Sequence, residues 1–474
     1  MTSTVAVPLW LALAGGLVCA WFLASRLLLP GVRWFFRRRI NRLTATLNQR
    51  LHLKIPPIAM TKREVLVDRL VYDPKVLKEL AHHSETAGVP PDVALRQVQR
   101  YAREIVPAFN AYLYFRLGNK FARGVVNMLY RVRLGHADSR ALRQMSPNSS
   151  VVFVMNHRSN IDYILVAYLA SKRVALSYAV GEWARVWPIQ QIIRSLGAYF
   201  VRRNSGNELY RRVLERYVQM AIEGGAVQAI FPEGGLTRDG RMREPRLGVI
   251  DYMMRGFRLE GEHDLVFLPL GINYDRVLED RSLLRALDPG ARRVGRARAL
   301  WNTLAFVARN LRLMWRSEWR RFGYACVNFG SPVSMRAYCR ERGVDFQRLA
   351  GEDRRRETAA LGEHLMRSVG RIVPVVPVPL MATVFVRNPG RRLASIELKT
   401  EVERIVERLE RSAARVYVPR RDLDYALDVG LRMLLLRHLV EEKDGAYVAC
   451  EEELPLLRYY ANSIAHLVGE EGPG

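Results

Sequence analysis

From Ser149 onward the chain is punctuated by apolar runs too short to be helices. They are VVFVM at 151–155, AYFV at 198–201, VQAIF at 227–231 and LVFLPLGI at 265–272, with helix-like segments such as 161–171 between them. Short β-branched or aromatic runs bounded by turn residues are buried strands, and their alternation with helices demands crossover connections. The pattern predicts an α/β fold with a largely parallel sheet flanked by helices. In such sheets ligands sit beyond the carboxyl ends of the strands, and the polar motifs of this chain follow its strands.

The flanks read differently. Apolar residues recur at three- and four-residue spacing through Val65, Leu66, Leu70, Val76, Leu77 and Leu80, and Pro90-Pro91 with Asp92 restarts the pattern. Residues 31–145 are therefore expected to be a helical N-terminal region, 146–390 the α/β domain and 391–474 a helical, charged C-terminal region. The stretch VPVVPVPLMATVFV at 373–386 is too short to span a bilayer and is interrupted by Pro374, Pro377 and Pro379, so it reads as a strand or buried connector.

A formal net charge of +27 calls for an anionic partner. No helix-turn-helix, RNA-binding or zinc-finger signature supports nucleic acid. The N-terminus points to lipid instead: VAVPLWLALAGGLVCAWFLASRLLL at 5–29 has Arg26 as its only charge and can cross about 30 Å of hydrocarbon. Arg33, Arg37, Arg38 and Arg39 follow it and no Lys or Arg precedes it, which argues for an uncleaved single-pass anchor at 1–30. The remainder is then expected at the cytoplasmic face of the inner membrane. Between 291 and 321, arginines interleave with Trp301, Trp315 and Trp319, as in a basic amphipathic helix on an anionic membrane, or an internal helix with a basic outer face. Cys19, Cys326, Cys339 and Cys450 are scattered, so neither a disulfide framework nor a metal site is expected.

Chemistry concentrates after the strands. In NHRSNIDYILV, His157 ends a strand and Asp162 falls in the first turn of the next helix, from which a carboxylate can reach back to one imidazole nitrogen. The other nitrogen is left as a general base for a substrate hydroxyl. No serine or cysteine has the context of a nucleophile, so direct attack by the substrate alcohol is the economical route. FPEGGLTRDGR at 231–241 offers Gly234 and Gly235 for close backbone approach, with Arg238 and Arg241 as phosphate donors. Glu233 would orient those arginines or bind a substrate hydroxyl. Arg202 and Arg203 end a third strand, and Pro269 in LPLGINYDRV is a candidate wall for an acyl chain.

These four blocks, with VNFGSPVSMRAY at 327–338, resemble the glycerol-3-phosphate acyltransferase family, in particular its bacterial membrane-bound branch and the related dihydroxyacetone-phosphate acyltransferases. HRSNIDY, GAYFVRRNSGNELY, FPEGGLTRDGR and LPLGINYDRV are similar to its four motifs in order. The resemblance implies a glycerolipid acyltransferase-like fold over about 145–390 and acyl transfer to the sn-1 hydroxyl of glycerol 3-phosphate. It implies acyl-CoA or acyl-carrier protein as donor, with no metal and no organic cofactor. His157 would be the base and Asp162 its partner, while Arg202 or Arg203, Glu233, Gly234, Arg238 and Arg241 would hold the phosphorylated acceptor. Leu236 stands where the branch often has a polar residue, and FPEG is closer to lysophosphatidate acyltransferases. Dihydroxyacetone phosphate and lysophosphatidate therefore stay open as acceptors, and a catalytically silent membrane scaffold is the alternative of another class.

Overall fold

The computed structural model describes residues 61–109, 114, 118–146, 149–170, 176–180, 189–202, 205–288, 290, 321–412 and 414–469. The apolar span at 5–29, nearly all of the basic aromatic segment at 291–321, and Arg203 lie outside these residues. Among the described residues no helix is long and apolar enough to cross a membrane.

Eight strands form one sheet. They are β1 (Arg131–Ala137), β2 (Ser150–Met155), β3 (Leu176–Val180), β4 (Tyr199–Phe200), β5 (Val227–Ile230), β6 (Leu265–Tyr274), β7 (Tyr324–Phe329) and β8 (Val333–Ser334). Seven run in the order β1-β7-β6-β2-β5-β3-β4, and β8 pairs separately with β6. From β6 to β4 every pairing is parallel, while β7 runs antiparallel to β6 and β1 runs parallel to β7. The expected α/β architecture is thus present, with an antiparallel junction at one side. All ten residues of β6 are buried, as a central strand covered on both faces requires.

The two-residue period of the strands sorts the core into two halves. Phe153, Met155, Leu268 and Leu270 face one side, packed with the helices Asp162–Ala170, Pro377–Arg387 and Leu454–Ala461. Val152, Val154, Leu265 and Phe267 face the other, against Pro91–Ile105, Glu208–Glu223 and Gly351–Gly370. Glu208–Glu223 shows how such a helix is bounded. Asn207 caps it by accepting the Tyr210 amide at 2.8 Å, and Gly225 at φ 69° turns the chain into β5.

Three local expectations change. The N-terminal region is not helical throughout, because β1 joins the main sheet beside β7. The segment 373–386 is mostly helix: Pro377 and Pro379 occupy the first turn of Pro377–Arg387, where a missing N–H costs nothing, and the helix is almost entirely buried. The C-terminal region contains a second sheet in which β9 (Leu393–Ala394) pairs with the hairpin β10 (Val440–Lys443) and β11 (Ala446–Ala449). Asp444 and Gly445 form its turn at φ 53° and 74°.

At Gly271, in the middle of β6, a Cβ would overlap the backbone of Ile372 and Val373. Gly124, in the helix Asn119–Leu129, has open space around it. Gly271→Ala is expected to destabilise the protein by about 3 kcal/mol, as overpacking against fixed main chain does. Gly124→Ala should be neutral or stabilising by up to about 1 kcal/mol. Urea midpoints that fall equally for both variants would contradict this packing.

Candidate active site

The carboxyl ends of β2, β5 and β6 bring the polar motifs together. Asn156 carries the pairing of β2 one residue further: its side chain accepts the Ile272 amide at 2.8 Å and donates to the Ile272 carbonyl at 2.9 Å. His157 follows, and its Nδ1 lies 2.9 Å from Oδ2 of Asp162, with both side chains buried. The same Oδ2 accepts the amides of Arg158 and Ser159 at 2.8 and 3.0 Å, and Oδ1 accepts the Tyr274 hydroxyl at 2.6 Å. Both oxygens are occupied as acceptors, so the imidazole supplies its Nδ1–H and keeps the Nε2 lone pair for chemistry. The ring stacks on Phe231 at 4.0 Å between centroids and meets Tyr163 edge-on at 5.4 Å.

Glu233 reaches the site from the turn after β5. Its Oε1 accepts the His157 amide at 3.1 Å and its Oε2 the Arg243 amide at 3.3 Å. Burial pushes its carboxyl up to about 7, against the pull of those amides and of the Arg158 charge. Thr237 N–H donates to the His157 carbonyl at 3.2 Å, and the Arg158 guanidinium donates to the Gly240 carbonyl. The two motif loops are therefore tied together through main chain.

His157 and Phe231 line a cleft of about 420 Å³ that also carries Arg202, Arg211, Arg246 and Tyr210. A second, almost wholly apolar cavity of about 360 Å³ lies alongside, lined by Ala122, Ile164, Ala167, Tyr178 and Leu196 among others. Tyr163 and Val180 border both spaces. Among the described residues no cluster of His, Cys, Asp and Glu has the arrangement of a metal site.

Residues 137–273 match the acyltransferase family, and residues 309–472 match the C-terminal region of glycerol-3-phosphate acyltransferases. Curated relatives agree: the glycerol-3-phosphate acyltransferase of Xanthomonas axonopodis pv. citri is 25% identical over 91% of this chain and 48% of its own length. That of Pseudomonas entomophila is 27% identical over 87% of this chain and 50% of its own. Along nearly its whole length the chain is thus similar to glycerol-3-phosphate acyltransferases. It spans about half the length of the curated relatives it matches. A 1-acyl-sn-glycerophosphate acyltransferase from Thermotoga maritima overlaps 65% of this chain and 96% of its own, at 15% identity and a TM-score of 0.32, too loose to transfer any residue.

The expected site residues separate into groups. His157 and Asp162 meet. Glu233 contacts main chain, holding His157 and Arg243 rather than an arginine side chain. Gly234 has the positive φ expected, 68°, but its amide closes a turn onto the Phe231 carbonyl at 3.0 Å instead of facing a ligand. Arg238 and Arg241 are exposed and do not line the cleft; Arg238 Nη1 lies 3.4 Å from the Ala286 carbonyl. Arg202 does line it, yet its guanidinium holds Glu104 bidentately at 2.7 and 2.9 Å, which pushes its pKa up. Pro269 is interior to β6, in register with Val154 and bonded through its carbonyl to Gly330, and borders neither space. Tyr274, Tyr163 and Arg246 belong to the site and were not anticipated. Arg246 returns to it because its amide donates to the Pro232 carbonyl at 2.8 Å.

The Glu233 environment has a measurable consequence. Unfolded, this carboxyl ionises near 4.5; folded, it holds its proton to about 7. Between those values the unfolded chain loses a proton that the folded chain keeps, so stability falls as pH rises through the window and levels above it. Urea denaturation at pH 5 and pH 7.5 should show the gap between wild type and Glu233→Gln shifting by on the order of 2–3 kcal/mol. A gap that is the same at both pH values would remove the buried acid from this account.

Proposed function

We propose that the protein transfers a fatty acyl chain from a thioester of CoA or acyl-carrier protein to the sn-1 hydroxyl of glycerol 3-phosphate, giving lysophosphatidate. The observation that carries this reading is the buried His157–Asp162 pair between an arginine-lined cleft and an apolar cavity. Nε2 of His157 takes the proton of the acceptor hydroxyl as its oxygen attacks the thioester carbonyl. The tetrahedral intermediate collapses to the ester, the thiolate leaves, and His157 returns the proton to sulfur. No acyl-enzyme is needed. Asp162, held by Tyr274 and two amides, stabilises the imidazolium between the two transfers.

The cleft suits the phosphorylated acceptor, with Arg202, Arg211 and Arg246 as the cations on its wall. The apolar cavity suits the acyl chain. Dihydroxyacetone phosphate and lysophosphatidate would use the same chemistry. Residues 1–30 would anchor the protein in the inner membrane with the site on the cytoplasmic side, where anionic lipid complements the chain's +27 charge.

Detergent-purified protein given labelled palmitoyl-CoA should label lysophosphatidate with glycerol 3-phosphate as acceptor. His157→Ala should lose about 10²–10⁴-fold in turnover while still unfolding cooperatively, at a lower temperature because Asp162 loses one of its four donors. Near-wild-type turnover by that variant would end the general-base mechanism. Arg246→Ala should raise KM for glycerol 3-phosphate by about tenfold, as loss of one charge-assisted contact does. Ala167→Phe should shift preference toward shorter acyl thioesters, and an unaltered chain-length profile would place the acyl chain elsewhere.

A further inference from the structure

The turn between His157 and Asp162 is held from two sides. From inside, Asp162 Oδ2 takes the amides of Arg158 and Ser159. From outside, Glu279 takes the same turn: its Oε2 accepts the Ser159 hydroxyl at 2.7 Å, and its Oε1 accepts the Asn160 amide and side-chain Nδ2 at 3.2 and 3.1 Å. Burial pushes the Glu279 carboxyl up, and it is these donors that satisfy it.

Glu279 is itself located by the C-terminal region. The next residue, Asp280, opens the helix Asp280–Arg285, and its Oδ2 accepts Arg437 Nη2 at 2.6 Å and the Tyr460 hydroxyl at 2.5 Å. Tyr460 oxygen also accepts Arg437 Nη1 at 2.8 Å and the Val277 amide at 3.1 Å. One phenol thus donates once and accepts twice, bonding on both sides of Glu279. Side chains of Arg437 and Asp280 are 8% and 7% exposed, so water offers little substitute for this pairing.

We propose that Glu279 is a positioning residue for the His157–Asp162 turn, and that Arg437, Asp280 and Tyr460 transmit its placement from the C-terminal region. The inference rests on the acyl-transfer reading for its kinetic consequence but not for its structural one. Hydrogen bonding rather than charge does the holding, so glutamine can replace glutamate: its carbonyl oxygen accepts from Asn160, and its amide can donate to the Ser159 oxygen.

The test uses wild type, Glu279→Gln, Glu279→Ala and Tyr460→Phe in the full chain. It combines acyl-transfer kinetics with hydrogen exchange of the peptide spanning 156–165. Glu279→Ala is expected to lose about 10²-fold in kcat, the scale of a small misplacement of catalytic groups, with KM for glycerol 3-phosphate within about threefold. Its 158–162 amides should exchange faster. Glu279→Gln should stay within about fivefold of wild type in kcat, with protected amides. Tyr460→Phe keeps the Arg437–Asp280 ion pair and should show the alanine signature at about a tenth of its size, although it lies in another region of the chain. Glu279→Ala with wild-type exchange and kcat within twofold overturns the proposal. So does a glutamine variant as impaired as alanine, which would make the carboxylate a reacting group. Should wild type transfer no acyl group, the functional reading fails, while the exchange comparison still decides whether Glu279 and Tyr460 hold the turn.

Discussion

Four donors converge on the carboxylate of Asp162: an imidazole, two amides and the Tyr274 phenol. An isolated carboxylate at this depth would be expelled or neutralised, and only a full set of donors makes it tolerable. The four donors come from two separate constraints. The imidazole and amides require the turn after β2, and the phenol requires the end of β6. The carboxylate therefore fixes the distance between two neighbouring strand ends while it fixes the tautomer of His157. A substitution that moved either strand end would disturb His157, the proposed base, so the sheet and the His157–Asp162 pair share one determinant.

Around that centre the distribution of charge is inverted relative to the chain as a whole. The protein carries a formal excess of 27 positive charges, yet Asp162, Glu233, Asp275 and Asp280 are buried at or near the carboxyl ends of the strands. Asp275 accepts the amides of Val378 and Tyr324, and burial pushes its carboxyl up to about 7. Interior acids bind main-chain amides and hold loops, while Arg202, Arg211 and Arg246 stand on the cleft wall. Beside them, the apolar cavity offers almost no polar surface. Tyr163 borders both spaces, so a polar cleft and an apolar cavity adjoin at one side chain.

What could be read from the sequence follows from how far each signal reaches along the chain. β2, β5 and β6 announce themselves as uninterrupted apolar runs because both their faces are covered. His157 and Asp162 are five residues apart, within one strand-turn-helix unit, so their meeting is a local event. β1 was hidden because it is an edge strand, RVRLGHA, whose arginines face solvent. Pro377 and Pro379 pointed away from helix although they sit where a helix tolerates proline. The arginines at 238 and 241 drew attention by proximity to the glycines, whereas Gly234 turns the chain so that Arg246 comes back to the cleft. The hairpin at 440–449 did carry a legible signal in Asp444-Gly445, overlooked because its flanking strands are only four residues each and β10 is charged.

The C-terminal region presents a different kind of illegibility. It has no motif, since the side chains that locate Glu279, Arg437 and Tyr460, are separated by a hairpin and most of the helix Leu454–Ala461. Their partners are Asp280 and the amide of Val277, more than 150 residues earlier. An apolar contact in their place would bury the same surface at less desolvation cost. Apolar packing, however, tolerates small slides, while a phenol with one donor and two acceptors engaged does not. A short chain of such bonds can hold Glu279, and through it the turn bearing the base, to within the fraction of an ångström that proton transfer demands. On this argument the polar contacts between the C-terminal helices and the segment after β6 serve placement rather than stability.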